Sequence, residues 1–343
     1  MTYETQVRLP FLIQPDNTVR YENGEVFVLD RRIYPFKIEF VRCKTYQDVA
    51  QAIKDMVTQS GGPQFCAGYA LAQAAHCSSN RSGEGIMEEL KQAAKCLVAT
   101  RPTNNSIILM TEKMLKIAEN ALKEGQNTED VLVRAVDAEF QARHRRGLEI
   151  GKNGASLIED GDSILNHCWA EQGIVYTVYT ALMQGKRIKA YCCETRPYLQ
   201  GARLTADALC DMGVNTTIIT DSTPSYLMWK GMVSKFFTGA DRVTMDGSIV
   251  NKIGTFQIAL SAHYFGVPFF VFTDGPDPGA HIPDDVVIEE RNPDEVLECL
   301  GQRTAAPGAK GYYPAFDVTP PEFVSAIITE KGVFSPYSMN HNK

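Results

Sequence analysis

Residues 235–272 read KFFTGADRVTMDGSIVNKIGTFQIALSAHYFGVPFFVF, and they indicate the fold class more clearly than any other part of the chain. Short runs rich in phenylalanine, at 235–238 and 269–272, are typical of buried strands. Between them, the apolar residues of 250–265 recur every three or four positions, which predicts an amphipathic helix. A strand, a helix and a second strand in this order predict a βαβ unit with two parallel strands.

The same alternation continues on both sides of this unit. Further strands are predicted at 163–167, 188–192, 216–219 and 286–288, and further helices at 205–212 and 225–230. Because helices that connect parallel strands cover both faces of the sheet, the pattern predicts a Rossmann-like domain over residues 151–343.

Residues 1–150 follow a different pattern. Roughly the first 35 residues are predicted to be strand-like, with GEVFVLDRRIYP at 24–35 as the arm of a hairpin. After it, apolar residues at helical spacing predict helices at 46–59, 64–76, 85–97, 105–124 and 128–151. We therefore predict an α/β protein in which a smaller, mainly helical N-terminal domain (1–150) precedes a Rossmann-like catalytic domain (151–343).

The charge and the apolar runs of the chain argue against two classes of partner. The 343 residues carry a formal net charge of −7, which argues against nucleic acids and anionic membranes as partners. No apolar run reaches the roughly 18 residues needed to span a bilayer, and the N-terminus lacks the layout of a signal peptide. We therefore expect a cytoplasmic protein.

Nine cysteines, an odd number, occur in the chain without any CxxC pair. Paired cysteines at that spacing are typical of zinc clusters, so no metal centre is predicted. Most of the nine lie inside apolar runs, which favours reduced thiols in the core of a cytoplasmic protein. One or two at most are expected to take part in chemistry.

Polar residues follow five of the predicted strands, at the point where each strand ends. They are His167 and Cys168, then Glu194 to Arg203, then Thr220 to Ser222, then Asp241 and Arg242, and lastly Thr273 and Asp274. In an open parallel sheet, ligands bind beyond the carboxyl ends of the strands. The five sets therefore predict an active site along one edge of the sheet.

Cys168 and Asp241 are the strongest candidates for catalysis. A thiol between a strand and a helix can have its pKa lowered by the helix N-terminus, although most free cysteines are core residues. Asp241 follows Gly239 and Ala240, which allow a ligand to approach the backbone closely. The alternatives for this carboxyl are a helix cap and an ion pair with Arg242.

Two positively charged side chains are candidates for binding an anion. Lys252 follows Asn251 at the predicted start of the helix over 250–265, where an ammonium group and the first helix amides can bind a phosphate. Arg101, in the sequence TRPTN, is a second candidate. For both residues the alternative is an ordinary surface charge.

Several longer motifs match a known family. They are ETRPYLQGARLT at 194–205, ITDS at 219–222, GADRV at 239–243, NKIGT at 251–255, PAFDVTPPE at 314–322 and IITEKG at 327–332. In these motifs the chain resembles methylthioribose-1-phosphate isomerases, and the resemblance extends over most of the chain. That family shares a superfamily with ribose-1,5-bisphosphate isomerases and with the regulatory subunits of a eukaryotic translation initiation guanine-exchange factor.

The resemblance implies an isomerase that converts an aldose 1-phosphate into a ketose 1-phosphate, without a metal or a cofactor, and that forms a homodimer. It implies catalytic roles for Cys168, in a His-Cys motif, and for Asp241, in a Gly-Ala-Asp motif. It also implies that five further residues bind the phosphate and the sugar, namely Gly61, Arg101, Gln200, Asn251 and Lys252.

The implied reaction makes two demands on such a site. A phosphate on the anomeric oxygen locks the sugar in its ring, so the ring oxygen must be protonated before a hydrogen moves from C2 to C1. We expect Asp241 to be the acid or base at the ring oxygen or at O2, with a pKa raised by burial. We expect Cys168 to act on the transfer from C2 to C1, as a base through an enediol or beside a hydride shift.

Departures from the family pattern lie around the expected pocket. Ser60 stands where the family has the arginine of an Arg-Gly-Ala-Pro loop, and Trp169-Ala170-Glu171 replaces Asn-Ala-Gly after the cysteine. Asn104 and Asn105 replace Ala-Val, and the stretch after the cysteine motif is shorter than in methylthioribose enzymes. The substrate is therefore left open between methylthioribose 1-phosphate, 5-deoxyribose 1-phosphate and another modified sugar 1-phosphate.

Three other functions are left open by the residues alone. A ribose-1,5-bisphosphate isomerase needs a second phosphate pocket, and Ser60 in place of arginine argues against one. A regulatory subunit that binds sugar phosphates or nucleotides without catalysis need not keep both Cys168 and Asp241, and this chain keeps both. An NAD-dependent oxidoreductase is suggested by the Rossmann-like alternation, but no GxGxxG motif follows a strand.

Overall fold

The computed structural model describes residues 7–101 and 105–341 of the chain. These residues form two compact units. The N-terminal unit comprises Leu12–Arg145, and the C-terminal unit comprises residues 146–341 together with residues 7–11. None of the helices in these described ranges is long and apolar enough to cross a bilayer.

A small antiparallel sheet lies at the start of the N-terminal unit. Its strands are β1 (Val19–Glu22), β2 (Glu25–Leu29) and β3 (Phe40–Cys43), in that spatial order. Asn23 and Gly24 form the two-residue turn between β1 and β2, with φ angles of 51° and 80°. A type I′ hairpin requires positive φ at both positions, and an Asn-Gly pair meets this requirement with little strain.

Five helices follow in the described part of the chain. They are α1 (Tyr46–Lys54), α2 (Gly62–Cys77), α3 (Gly83–Thr100), α4 (Asn105–Lys123) and α5 (Thr128–Ala155). Helix α2 is the central one, because nearly every residue of its first four turns is buried and α1, α3 and α4 pack against it. Its many alanines permit this arrangement, since small side chains let helix axes approach closely.

Helix α1 is shorter than its apolar spacing predicts. A capping box between Thr45 and Asp48 starts it, but the helix ends at Lys54 rather than at residue 59. Met56 has a φ of 58°, in the left-handed region where helices terminate. The chain then enters the loop that precedes α2.

The strands of the C-terminal unit, in chain order, are β4 (Ser163–Asn166), β5 (Lys189–Cys193), β6 (Asn215–Ile219), β7 (Lys235–Gly239), β8 (Arg242–Val243), β9 (Ile249–Lys252), β10 (Phe269–Phe272), β11 (Glu298–Cys299), β12 (Gln302–Arg303), β13 (Phe316–Thr319), β14 (Ala326–Thr329) and β15 (Gly332–Phe334). Seven of them form one sheet in the order β15-β14-β10-β7-β4-β5-β6. Neighbours in this sheet are parallel, except that β15 is antiparallel to β14. The predicted α/β fold with a Rossmann-like sheet is confirmed.

Helices connect the parallel strands of this sheet. They are α6 (Glu171–Met183), α7 (Ala206–Asp211), α8 (Pro224–Trp229) and α9 (Thr255–Phe265). A π-helical stretch, Gly201–Thr205, leads directly into α7.

Phenylalanine rings from β7 and β10 form the centre of the sheet. Phe236 stacks on Phe269 with ring centroids 4.3 Å apart, and Phe237 stacks on Phe272 at 5.7 Å. All four side chains are buried. Parallel strands covered on both faces carry continuous apolar runs instead of an alternating pattern, which explains why these two strands stand out in the sequence.

Two elements predicted from the sequence are wrong in part or in whole. Residues 286–288 form no strand, and Val287 is 82% exposed. The helix predicted over 250–265 begins only at Thr255, because β9 is the central strand of a small antiparallel sheet with β8 and β13. Asn251 and Lys252 therefore end a strand and do not start a helix.

Candidate active site

The order of the strands creates a crevice between β4 and β7. From β4 the chain passes to β5 and β6 on one side, and then returns to β7 and β10 on the other. Such a switch point is where open α/β sheets bind ligands. Cys168 lies two residues beyond the end of β4, and Asp241 lies two residues beyond the end of β7. The two candidate catalytic residues thus flank the crevice.

The backbone of Cys168 is held in a strained conformation by two threonines. Its φ is 66°, in the left-handed region that non-glycine residues rarely adopt. The Cys168 N–H donates to Thr195 Oγ1 at 3.0 Å, and the Cys168 carbonyl accepts from Thr205 Oγ1 at 2.6 Å. Strain of this kind persists only where the surroundings fix it, and it is commonest at functional sites.

The Cys168 thiol is in its protonated form at neutral pH. Burial raises its pKa above the ordinary value, and the positive charges of Lys252 and Arg291 offset only part of this effect. The lowered pKa that we expected from a helix N-terminus is therefore wrong. Helix α6 begins three residues later, at Glu171, and desolvation outweighs its influence.

Lys252 is a buried cation at the end of β9. It is 4% exposed, and its Nζ donates to the hydroxyl of Tyr313 at 3.3 Å. The Nζ atom also lies 5.0 Å from the ring centroid of Phe316. Burial, followed by repulsion from Arg291, lowers the pKa of Lys252 to about 8, whereas the carboxylate of Asp241 acts in the opposite direction. Lys252 is therefore a weakly solvated charge that an anion stabilises.

The side-chain amide of Asn251 is fixed by two threonines. Its Nδ2 donates to Thr238 Oγ1 and to Thr255 Oγ1, both at 2.9 Å. Thr238 in turn donates to the carbonyl oxygen of His167 at 2.9 Å. This chain of hydrogen bonds connects β9 to β7 and to the end of β4, which sets the position of the residue before Cys168.

The first amides of α9 are already bonded to a carboxylate. Gly254 N–H donates to Asp317 Oδ2 at 2.7 Å, and Phe256 N–H donates to the same atom at 3.2 Å. Burial raises the pKa of Asp317 to about 6. The expectation that helix amides and Lys252 bind a phosphate together is therefore wrong, because Asp317 already accepts the amides. Of the two groups, Lys252 alone can still bind an anion.

Asp241 is exposed, so its predicted burial is wrong. Its backbone N–H donates to the carbonyl of Val250 at 2.9 Å, which ties the end of β7 to β9. Arg242, the next residue, forms an ion pair with Asp277 at 3.3 Å. A solvated carboxylate suits a base better than it suits an acid at neutral pH.

Gln200 is buried immediately before the π-helical stretch. It is 3% exposed, and its Oε1 atom makes no hydrogen bond within the described residues. Buried acceptors are almost always paired in folded proteins. This acceptor therefore has room for a hydrogen bond from a donor that is not among the described residues.

One group among the described residues has the composition of a metal site. Ligand atoms of His167, Cys193 and Asp221 lie within 4.8 Å of one another. Both oxygens of Asp221 already accept backbone amides, from Thr195 and Arg196 at 2.7 Å. Burial keeps His167 neutral by lowering its pKa and keeps Cys193 protonated by raising its pKa. These bonds and protonation states fit a structural support for the Thr195 loop.

Arg291, Glu289 and Tyr313 lie close to Lys252 and were not predicted. The Arg291 guanidinium forms two bonds to Glu289, at 3.0 and 3.1 Å, and packs on the ring of Phe316 at 5.5 Å. Its backbone N–H donates to the carbonyl of Tyr313 at 2.9 Å. Glu289 is two residues from Arg291, but no local pattern in the sequence brings either residue to Lys252, which is more than 35 residues away in the chain.

Gly61 and Arg101 belong to the N-terminal unit. Gly61 lies in the loop between α1 and α2, and Arg101 is half-buried with its Nη2 atom 3.2 Å from the sulfur of Met56. Cys168, Gln200, Asp241, Asn251 and Lys252 all belong to the C-terminal unit. The departure at Asn104 lies outside the described residues.

The sequence model of the Initiation factor 2 subunit family matches residues 60–336. This range contains both candidate catalytic residues and all strands of the seven-stranded sheet. The chain belongs to this family.

Two relatives from this family are similar to the chain over nearly its whole length. The methylthioribose-1-phosphate isomerase of Thermotoga neapolitana is 39% identical over 328 residues, which is 93% of this chain and 95% of the relative. The enzyme of the same name from Thermosipho melanesiensis is 38% identical over 95% of this chain and 97% of the relative. The resemblance inferred from the motifs is confirmed.

Two solved structures of the family share the fold. The 5-methylthioribose 1-phosphate isomerase from Pyrococcus horikoshii OT3 has a TM-score of 0.86 and 31% identity, covering 98% of this chain and 96% of that one. The translation initiation factor eIF-2B, subunit delta, from A. fulgidus has a TM-score of 0.82 and 34% identity, covering 94% and 96%. Because proteins with both descriptions share the architecture, the chemistry of the site has to separate the two functions.

Proposed function

We propose that this family member is an aldose–ketose isomerase that converts 5-methylthioribose 1-phosphate into 5-methylthioribulose 1-phosphate, a reaction of methionine salvage. The observation that carries the proposal is the pairing of Cys168 with Asp241 across the switch point, with the buried charge of Lys252 acting on both. The relatives of the same name support the choice of substrate.

The electrostatics of the site support a division of roles between the two residues. The protonated Cys168 thiol gives its proton to the ring oxygen as the bond between C1 and that oxygen breaks. The carboxylate of Asp241 takes the proton of the hydroxyl on C2, and the hydrogen on C2 moves to C1 with its electron pair. The products are a ketone at C2, a thiolate and a protonated Asp241. Asp241 thus has one of the roles expected from the sequence, that of the base at O2, whereas Cys168 acts at the ring oxygen and not on the transfer from C2 to C1.

Lys252 supports the developing charge in this scheme. Its ammonium group lowers the pKa of Cys168, so it stabilises the thiolate that forms when the ring opens. Proton transfer from Asp241 to the thiolate, directly or through water, then restores both groups. In this scheme the Oε1 atom of Gln200 accepts a hydrogen bond from a sugar hydroxyl. Asn251 holds the end of β4 in position through its hydrogen bond to Thr238.

A second candidate function is that of a non-catalytic regulatory subunit. The likeness to the initiation factor subunit from A. fulgidus favours it. A binding subunit has no need for a strained cysteine opposite a carboxylate, however, and this chain has both. Ribose 1,5-bisphosphate and 5-deoxyribose 1-phosphate are the alternative substrates for an isomerase.

A substrate panel tests the proposal. We would incubate the protein with methylthioribose, 5-deoxyribose, ribose and ribose-5-phosphate, each as the α-1-phosphate, and follow ketose formation by NMR. The proposal predicts turnover of the methylthioribose compound, loss of turnover in Cys168→Ser, and normal turnover in Cys210→Ser, an exposed cysteine that serves as the matched control. Binding of a sugar phosphate without turnover of any panel member would favour the regulatory subunit.

We further propose that the enzyme works in the cytoplasm as a homodimer. All nine cysteines are free thiols, which is typical of proteins in a reducing compartment. The homodimer is supported by the family resemblance, and light scattering on the purified protein measures it directly.

A further inference from the structure

Three arginines from separate elements approach the loop between α1 and α2. The Arg31 backbone N–H donates to Val57 O at 2.9 Å, and its Nη1 donates to Gln59 O at 3.0 Å. The Arg101 guanidinium reaches Met56, at the start of the loop. The third, Arg143, comes from the last part of α5 within the N-terminal unit. A loop of seven residues is thus surrounded by positive charge.

The guanidinium of Arg143 lies flat against Gly61. A Cβ atom at Gly61 would lie 2.5 Å from Arg143 Cζ and 2.5 Å from Nη2, so no residue with a side chain fits there while Arg143 keeps its position. The guanidinium also lies 5.9 Å from the ring centroid of Phe65, which itself stacks on Phe140 at 3.7 Å. Phe140 and Arg143 are one turn apart on α5, so aromatic packing directs Arg143 to the loop.

The same loop holds buried polar atoms that lack hydrogen bonds within the described residues. Gln59 is 6% exposed and its Nε2 donor has no acceptor. Thr58 is fully buried and its Oγ1 is also unbonded. Leaving buried polar groups unpaired costs free energy of folding. An anion-binding loop requires donors of this kind, which have no acceptor within the protein.

We propose that Arg143 binds the phosphate of the substrate, and that it supplies from α5 the guanidinium that the family's Arg-Gly-Ala-Pro loop carries at the position of Ser60. The planar fork of a guanidinium matches two phosphate oxygens, and Gly61 leaves the space in which that fork lies beside the loop. This inference rests on the proposed function, because the sugar phosphate is the anion concerned. It explains how the loop can keep a positive charge although Ser60 replaces the family's arginine.

Kinetics of three variants test the inference. In Arg143→Ala, the KM for the sugar 1-phosphate should rise on the order of 10- to 100-fold with kcat within about threefold, because a charge-assisted contact to the phosphate is lost. Arg143→Lys should lie between the wild type and Arg143→Ala, since it keeps the charge and loses the fork. Arg145→Ala removes an exposed arginine two positions further along α5 and should leave KM unchanged.

A second measurement does not depend on turnover. Inorganic phosphate should raise the melting temperature of the wild type and of Arg145→Ala, and this rise should be absent in Arg143→Ala. Circular dichroism in buffer shows whether each variant is folded. Should Arg143→Ala fail to fold, Arg143→Lys decides: a KM raised at least about threefold supports the inference, and a wild-type KM overturns it.

The failure of this inference can be distinguished from failure of the proposed function. An active wild type in which Arg143→Ala and Arg145→Ala share one KM and one response to phosphate would overturn the role of Arg143 alone. A second outcome is a wild type that turns over no sugar phosphate, but whose melting temperature rises with phosphate only when Arg143 is present. This outcome would support the binding role of Arg143 and would overturn the proposed isomerase activity.

Discussion

The two units of the molecule present positive charge in different ways. In the C-terminal unit, Lys252 is almost fully buried at a strand end, and its Nζ donates to the neutral hydroxyl of Tyr313. In the N-terminal unit, Arg31, Arg101 and Arg143 approach one loop from three elements, and the two last are only half-buried. A desolvated lysine responds strongly to the charge of its neighbours, whereas arginines of this kind hold a permanent charge for a ligand.

This difference separates the chemical step from recognition. In the proposed mechanism the buried lysine stabilises the thiolate of Cys168, so its effect is expected on kcat. Arg143 is proposed to bind the phosphate, which does not react, so its effect is expected on KM. Variants in the two regions should therefore fall into two kinetic classes, and the predictions below are arranged from the largest expected effect to the smallest.

Asp241→Asn should have the largest effect. Removal of the base is expected to lower kcat by about 10²- to 10⁴-fold and to leave KM close to the wild-type value. Steady-state kinetics measure both constants. Asp130→Asn is the matched control, because Asp130 is an exposed carboxylate in the first turn of α5 and belongs to the N-terminal unit. Equal losses in both variants would contradict the placement of the chemistry between β4 and β7.

Lys252→Met should change how stability depends on pH. The pKa of Lys252 is about 8 in the folded protein and 10.5 ordinarily, so the unfolded chain binds more protons between these values. The free energy of unfolding of the wild type therefore rises with pH from about 8 to 10.5, by at most about 3 kcal/mol. Met fits the buried site and carries no charge, so the variant should lack this rise.

Urea denaturation of the wild type and of Lys252→Met at several pH values measures this effect. Lys189→Met, at an exposed lysine on β5, is the control and should behave as the wild type does. The same pH dependence in Lys252→Met and in the wild type would show that Lys252 is hydrated and not desolvated as the structure indicates.

Gly61→Ala should raise KM by about tenfold with little change in kcat. Its new methyl group would occupy the position of the Arg143 guanidinium, so the arginine has to leave the loop. Gly83→Ala is the control, since a Cβ atom there meets only Leu122 at an ordinary 3.7 Å. A change in kcat instead of KM would contradict the assignment of substrate binding to the loop beside Arg143 and of the chemical step to the region of Lys252.

Asp317→Asn should have the smallest effect. The folded pKa of Asp317 is about 6 and its ordinary value is 3.8, so the folded protein binds more protons in that window and loses stability as pH rises through it. An asparagine oxygen can still accept the amides of Gly254 and Phe256. The variant should lose this pH dependence and gain about 1 kcal/mol at pH 7, measured by urea denaturation. A lower stability at pH 7 would contradict the expectation.

Local patterns in the sequence predict the sheet well and the charged neighbours of Lys252 poorly. The phenylalanine runs of β7 and β10 identify buried parallel strands, and the polar residues behind β4 and β7 lie beside the switch point, where ligand binding is expected. Local patterns predict a strand at 286–288, where the structure has none, and no strand at β14, whose sequence is AIIT, because periodicity over three or four residues is ambiguous.

Nonlocal contacts account for what the sequence analysis did not find. Asn251 and Lys252 precede a helical pattern, and only the pairing of β9 with β13 shows that they belong to a strand. Arg291 reaches Tyr313 across 22 residues and Arg143 reaches Gly61 across 82 residues, so neither contact has a spacing that marks it. Burial raises the pKa of Cys168, against the expected direction, and Asp241 is exposed where burial was expected, since burial depends on packing that no short motif records.

The most direct test of the account is an NMR experiment in D₂O with 5-methylthioribose 1-phosphate as substrate, comparing the wild type with Cys168→Ser. The account predicts that the wild type forms the ketose 1-phosphate without deuterium at C1, because hydrogen moves from C2 to C1 within the substrate, and that the folded Cys168→Ser protein forms none. Deuterium at C1 would contradict the division of roles between Cys168 and Asp241. A folded wild type that leaves the substrate unchanged would contradict the isomerase itself.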